Sequence, residues 1–296
     1  MSERYNSFHS FLQRKFHQTV RKIPLNAGNS CPNKDGRISK EGCIFCDTFG
    51  SGPIRHFDLP IEEQIKSVIE KSKDSRFIAY YQAHSNTSAP VEDLRKQYEI
   101  IFSFPQIVGL FIGTRPDCIA EDVYPLLEEM NRRIYLTVEL GLQSTHEKSL
   151  RFLNRNHTYD RFLVTFEKLK RRNIDCVVHL ILGIPGESLA DMLETVGEMN
   201  RLKPAGIKFH LMHVLKNTHL FDLYEKEAFL LPGKDEYVEW VVTVLEHLDP
   251  SIVIHRLTGE RDREIFHAPL WALDKNGVLL SIRKKMEEKD TWQGKK

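Results

Sequence analysis

A strand-like run followed by a helix-like run recurs along this chain. Residues 22–26, 76–82, 107–113, 134–142, 174–183 and 206–213 read as strands, rich in β-branched and apolar side chains. Helical spacing fills the intervals, at 61–73, 91–102, 121–130, 159–171 and 189–202. Strands that alternate with helices demand a parallel sheet with right-handed crossovers. A length of 296 residues allows one large domain or two small ones. Six such units fit a doubly wound sheet or a full or partial barrel, and periodicity alone does not choose.

The fourth strand adds a constraint. Tyr135, Thr137, Glu139, Gly141 and Gln143 lie on one face, and Ile134, Leu136, Val138, Leu140 and Leu142 on the other. The apolar face suits packing against helices. A strand covered on both faces in an open sheet is apolar on both. A barrel with a ligand-filled lumen accepts Glu139 and Gln143 pointing inward, whereas an edge strand with one wet face gives the same pattern.

The loop after the first strand reads CPNKDGRISKEGCIFC, and holds three of the five cysteines, Cys31, Cys43 and Cys46. The last two form a CxxC. Thiolates so spaced grip one zinc ion or one iron–sulfur cluster. A structural zinc wants four ligands, and His56 would complete a Cys3His site. A 4Fe–4S cluster on three cysteines keeps one iron open for a small molecule. The odd, uneven cysteine count suits a reducing, cytoplasmic setting better than a disulfide framework. No apolar run reaches the roughly 18 residues of a membrane span. The net charge of +1 argues neither for nor against an anionic partner.

Cys31, Cys43 and Cys46, with Phe45 before the last, resemble the cluster loop of the radical S-adenosylmethionine (SAM) superfamily. The eleven residues between the first two cysteines exceed the commonest spacing. They are similar to the branch that includes the catalytic subunit of elongator, a tRNA-modifying enzyme. LTVELGLQS (136–144), NRNHT (154–158), LILGIPGES (180–188) and TRPDCI (114–119) resemble strands and loops of that branch and of oxygen-independent coproporphyrinogen dehydrogenase. CPNKDG, YYQAHSNT and APLWALDKNGVLL resemble the YtqA/YhcC group over nearly the whole chain.

The resemblance implies an α/β fold, a partial (β/α)6 TIM-type barrel over residues 1–231. A small α/β extension, 232–296, would cap its mouth. It implies a 4Fe–4S cluster on Cys31, Cys43 and Cys46, and SAM bound at the open iron. Gln143 and Arg155 match the glutamine and arginine that hold ribose and methionine carboxylate. Glu139 matches an acidic residue for ribose hydroxyls or the amino group. Phe45 would meet adenine. Gln82 stands where a glycine-rich stretch usually meets the amino group, and its side chain would replace those contacts. His179 and Gly113 depart from acidic residues of the coproporphyrinogen branch.

His179, Lys208 and His210 are candidates for substrate chemistry if their faces are luminal. His210 and His213, three apart on a strand, would point to opposite sides. Cys118 and Cys176 sit among apolar neighbours and read as packing residues. Three functions stay open. The first is radical SAM modification of a wobble uridine in tRNA, trimming carboxymethylaminomethyl-uridine to aminomethyl-uridine. The second is a small-molecule radical SAM oxidase with a tetrapyrrole-like substrate. The third is a non-catalytic cluster or zinc module. The enzymatic readings call for a flavodoxin- or ferredoxin-type electron donor. Basic residues Arg14, Lys15, Lys168, Lys170, Arg171 and Arg172 are candidate phosphate contacts.

Overall fold

A computed structural model describes residues 3–48, 50, 59–73, 75–259 and 261–296. Seven parallel strands make one curled sheet in the order β1 (Val20–Leu25), β2 (Arg76–Tyr81), β3 (Ile107–Thr114), β4 (Tyr135–Gln143), β5 (Asp175–Leu182), β6 (Gly206–Leu211) and β8 (Val253–Arg256). Between the last two in sequence, β7 (Val214–Leu215) pairs antiparallel with β9 (Phe266–Ala268). The helices are α1 (Phe8–Phe16), α2 (Pro32–Asp35), α3 (Ile61–Ile69), α4 (Val91–Glu99), α5 (Val123–Arg133), α6 (Glu147–Phe152), α7 (Tyr159–Lys170), α8 (Leu189–Leu202), α9 (His219–Glu225), α10 (Lys234–His247) and α11 (Lys275–Glu288). This is the expected partial barrel, and the first six parallel strands fall where the alternation places them.

The amphipathic strands explain the curl. Leu136, Val138, Leu140 and Leu142 join Phe162, Phe166 and Met199 in the core between sheet and helices. The other face of β4 turns inward, so Glu139 is wholly buried in the lumen. An open barrel leaves an edge at β1 and another at β8. The helix α1, which the strand–helix pattern leaves unassigned, packs on both β1 and β8. Its Phe8 and Phe11 close the lower lumen with Phe111 and Tyr135.

The segment after residue 231 adds more than a cap. Its β8 extends the sheet beside β6, with Lys208 aligned to Arg256. Its α10 packs on α8 and α11. Deleting Leu140 methyl groups empties volume in a fully buried layer. We expect Leu140→Ala to cost about 2–5 kcal/mol in urea unfolding with an unchanged m-value. A loss below about 1 kcal/mol would contradict the placement of this face against the helices.

Candidate active site

The site lies at the carboxyl ends of the strands, where loops of a parallel barrel converge. The loop after β1 is tied to the turn after α6 by a polar seam. Asn33, fully buried, donates to the Asn154 carbonyl at 2.8 Å and to Cys43 Sγ at 3.5 Å. Asn154 donates to the Gly42 carbonyl at 2.6 Å. Arg155 then bridges loop and sheet. Its Nη1 donates to Cys43 Sγ at 3.1 Å, its Nη2 to the Gly141 carbonyl, and its Nε to His157 Nε2 at 3.2 Å. A Cβ on Gly141 would lie 2.9 Å from Gln143 Nε2 and 3.3 Å from Arg155 Nη2, so a side chain there would push these two flexible ends aside.

Cys31, Cys43 and Cys46 line one cavity of about 680 Å³, together with Gln82, Gln143 and Arg155. Burial pushes the Cys46 thiol up to about 11, against the opposing pull of Lys34. A thiolate at that depth therefore calls for a nearby cation. Among the described residues, no three His, Cys, Asp or Glu side chains converge on a point that would hold a single metal ion. His56, the fourth ligand of the zinc alternative, lies outside the described residues.

Beneath this cavity sits a buried ion network. Glu139 Oε2 accepts from His179 Nε2 at 2.9 Å and from Lys208 Nζ, and Oε1 accepts from Lys22 Nζ at 3.3 Å. Lys208 also donates to the Tyr80 hydroxyl at 2.9 Å. Burial alone would raise the Glu139 carboxyl, but Lys208, Lys22 and His179 together hold it well below the usual carboxylate range. Burial, reinforced by the Lys208 charge, lowers His179 to about 4, so its imidazole is neutral at pH 7.

A second cavity, of about 810 Å³, adjoins the first. Phe45, Cys46, Gln82, Gln143 and His179 line both. Lys208, His210 and Arg256 belong to the second cavity alone of the two. The rings of His179 and His210 lie 5.2 Å apart between centroids. His213 lines this cavity too, because β6 ends at Leu211 and strand alternation stops there. Its Nδ1 donates to the Leu211 carbonyl at 2.9 Å.

The structure thus gathers the three thiols, Phe45, Gln82, Glu139, Gln143, Arg155, His179, Lys208 and His210 around two adjoining cavities. It gives two of them partners that were not foreseen. Glu139 is already engaged by Lys208, Lys22 and His179. Arg155 is already held by Cys43, Gly141 and His157. The open N–H in the first cavity belongs instead to Arg115, whose buried Nη1 has no partner while its other nitrogens hold Asp117 and the Arg155 carbonyl. TRPDCI contained that residue, and an arginine next to the end of a strand was the available signal. Arg256 was missed because it lies in the 232–296 extension, where no motif marks it.

The proposed phosphate contacts fare differently. Lys168–Arg172 ends α7 just before β5 begins, at the opposite end of the sheet from the site. Lys168 is paired with Glu121, and Arg172 with Glu128 at 2.9 Å. Lys170 donates to the Leu202 carbonyl at 3.0 Å. Lys15 lies over the Tyr135 ring at 4.1 Å, also at the lower end. Cys118 and Cys176 are buried, as expected of packing residues, although Cys118 borders Asp117.

Family models agree with this arrangement. Residues 28–199 match the radical SAM superfamily, and 204–288 match its C-terminal domain. The chain belongs to the radical SAM superfamily. Its cofactors are those of the superfamily, a 4Fe–4S cluster and SAM. It is 39% identical to YtqA of Bacillus subtilis (strain 168), over 99% of this chain and 92% of that protein. A shorter stretch is 28% identical to the tRNA uridine(34) acetyltransferase of Methanocaldococcus jannaschii, over 49% of this chain and 27% of that one. Among solved structures, Elp3 of Methanocaldococcus infernus superposes with a TM-score of 0.66 at 16% identity, over 93% of this chain and 64% of that one. No helix among the described residues is long and apolar enough to cross a membrane.

The neutral histidines set a pH dependence. Burial lowers both His179 and His213 to about 4, whereas unfolded histidines titrate near about 6.5. Between these values the unfolded chain binds more protons, so stability falls as pH drops through that window. Each histidine contributes about 1.4 kcal/mol per pH unit. His213→Asn keeps a donor for Leu211 and removes one titration. Its unfolding free energy should vary with pH more shallowly, by about one proton, between about pH 6.5 and 4. A slope equal to the parent's would contradict a neutral buried His213.

Proposed function

We propose that this protein modifies the wobble uridine of tRNA, trimming carboxymethylaminomethyl-uridine to aminomethyl-uridine. The observation that carries the reading is the pair of adjoining cavities, one bordered by three thiols and the other by Lys208, His179 and His210. The partial matches to proteins named as tRNA uridine(34) acetyltransferase and Elongator complex protein 3 support the choice of substrate.

In this reading Cys31, Cys43 and Cys46 hold the cluster. Gln82, Gln143, Arg115 and Arg155 surround SAM, with Phe45 against adenine and Glu139 at the floor. Bound there, the cofactors would supply a 5′-deoxyadenosyl radical, given one electron from a flavodoxin- or ferredoxin-type donor. The chain's own part is position and dryness. Arg115 Nη1 offers an unpaired N–H to a carboxylate. Arg155 fixes Cys43 against β4. Glu139 keeps Lys208 and His179 in place beside the wall shared by the cavities. Neutral His179 and His210 and cationic Lys208 then face the substrate.

We assign residues 1–231 to cofactor binding and 232–296 to closing the mouth. A base can reach the radical only after leaving its stack, so the cavity must admit one flipped nucleotide. Phosphate contacts then come from residues at the mouth, where exposed Arg263 borders a surface cleft that shares Gly259 and Arg261 with the second cavity.

Two measurements test these assignments. Cys31→Ala, Cys43→Ala and Cys46→Ala should each lose most iron and sulfide after anaerobic reconstitution, while Cys118→Ala and Cys176→Ala keep both. Full cluster content in any of the first three removes that residue from the ligand set. For the substrate, reduced enzyme and SAM are supplied with tRNA from a strain lacking the protein. Nucleoside mass spectrometry should then show carboxymethylaminomethyl-uridine converted to aminomethyl-uridine. Unchanged uridine derivatives, with brisk turnover of a free metabolite, would place the protein among small-molecule enzymes instead.

A further inference from the structure

We infer that the second cavity binds an anionic group of the substrate, with Arg256 as its anchor and Lys208 and His210 beside it. Three observations carry this. Among the described residues, no Asp or Glu lines the cavity, while Lys208, Arg256 and Arg261 all do. The Lys208 charge is matched by Glu139, but Glu139 is shared with Lys22 as well. One buried carboxylate thus serves two ammonium groups, and none of its charge is left for Arg256.

Arg256 itself is half-buried at the end of β8, and its guanidinium has no hydrogen bond or ion pair among the described residues. It is aligned with Lys208 on the neighbouring strand, and its charge is among those that disfavour the Lys208 ammonium. Like charges on neighbouring strands repel, and an anion between them would relieve that repulsion. The third observation is an orphan. His210 Nε2 is buried against this cavity without a hydrogen-bond partner, a state that costs free energy unless a ligand fills it. A carboxylate or phosphate satisfies all of this at once, since its oxygens accept the planar fork of arginine and an N–H from imidazole. The inference deepens the proposed function, and rests on it only in the choice of RNA probes. In that setting the anion is either the carboxylate on the modified side chain or a backbone phosphate.

The test uses the anaerobic holoenzyme with SAM and three anticodon stem-loops. One carries carboxymethylaminomethyl-uridine, one its neutral carboxamide, and one plain uridine. Fluorescence anisotropy at fixed salt gives each affinity. If the anion is the side-chain carboxylate, the parent should prefer the acid over the amide by about tenfold or more. Arg256→Gln should erase that preference, and Arg256→Lys should restore part of it. If the anion is a phosphate, Arg256→Gln should weaken all three RNAs alike. Unchanged affinities of the Gln variant for every RNA would overturn the inference, provided its circular dichroism and cluster absorbance match the parent.

An RNA-free arm separates this inference from the wobble-uridine reading. Phenylglyoxal labelling of Arg256 is followed by peptide mass spectrometry, with N-methylglycine or inorganic phosphate added. Protection by either anion supports the anion site even where no RNA binds and the tRNA reading fails. Labelling that neither anion slows, together with no RNA binding, would end the proposal.

Discussion

A carboxylate sealed inside a parallel sheet is tolerable only with cations and donors around it. Glu139 has both oxygens occupied, by Lys208 and His179 on one side and Lys22 on the other. The three partners come from β6, β5 and β1, so the network ties opposite sides of the half-barrel together. Removing one member of such a group leaves a buried charge uncompensated, typically at a cost of about 3–5 kcal/mol. A network this costly to break is weak as a source of stability, since well-packed apolar residues would serve as well. Its value lies in fixing where three polar side chains point. Tyr80 extends it by accepting from Lys208 at 2.9 Å.

The thiol loop depends on the same sheet through a different residue. Arg155 reaches back to the Gly141 carbonyl two positions beyond Glu139, and outward to Cys43. A shift of β4 would therefore be felt at once in the loop. The register of the sheet supports this coupling, since Gly113 aligns with Glu139, Gly141 with His179, and His179 with Lys208. Glu139 aligns with Val177 and His179 with Gly141, so the polar layer of the lumen steps along β4 by two positions between these pairs. Alternate positions on each strand supply it, and the remaining positions supply the core.

That division explains what could be read from the chain. Strict alternation in 134–143 foretold which side of β4 faces the lumen, because a period of two leaves no freedom once one face is buried. The three cysteines stood out by type and spacing, and the structure brings them to one cavity. The partners of Glu139 and Arg155 were not. Lys22, Tyr80 and Lys208 are separated from Glu139 by 117, 59 and 69 positions, and no local pattern pairs them. The helix α1 was missed for a related reason. Its single buried residue is Leu12, with Phe8 and Phe11 packed alongside, and its task of filling the gap between β1 and β8 exists only once the sheet has curled. The surface run 168–172 misled in the opposite way. Its charge was plain, but only topology reveals that it ends a helix at the far end of the barrel.

The two cavities also constrain how their occupants divide. Near the thiols the polar atoms come from the first five strands and their loops, whereas Arg256, Gly259 and Arg261 enter only the second cavity. A segment that lies late in the chain therefore shapes the second cavity, and its Arg261 also reaches the thiol loop by donating to the Gly50 carbonyl. Side chains on the shared wall must answer to both occupants. Gln82, Gln143 and His179 have that position, and His179 is further restrained by Glu139. A neutral imidazole there adds no third charge beside Lys208 and Arg256. A protonated one would add it, and the repulsion would fall on the same region that an anion is needed to balance. The low pKa of His179, set first by burial and then by Lys208, thus keeps a third charge out of that region.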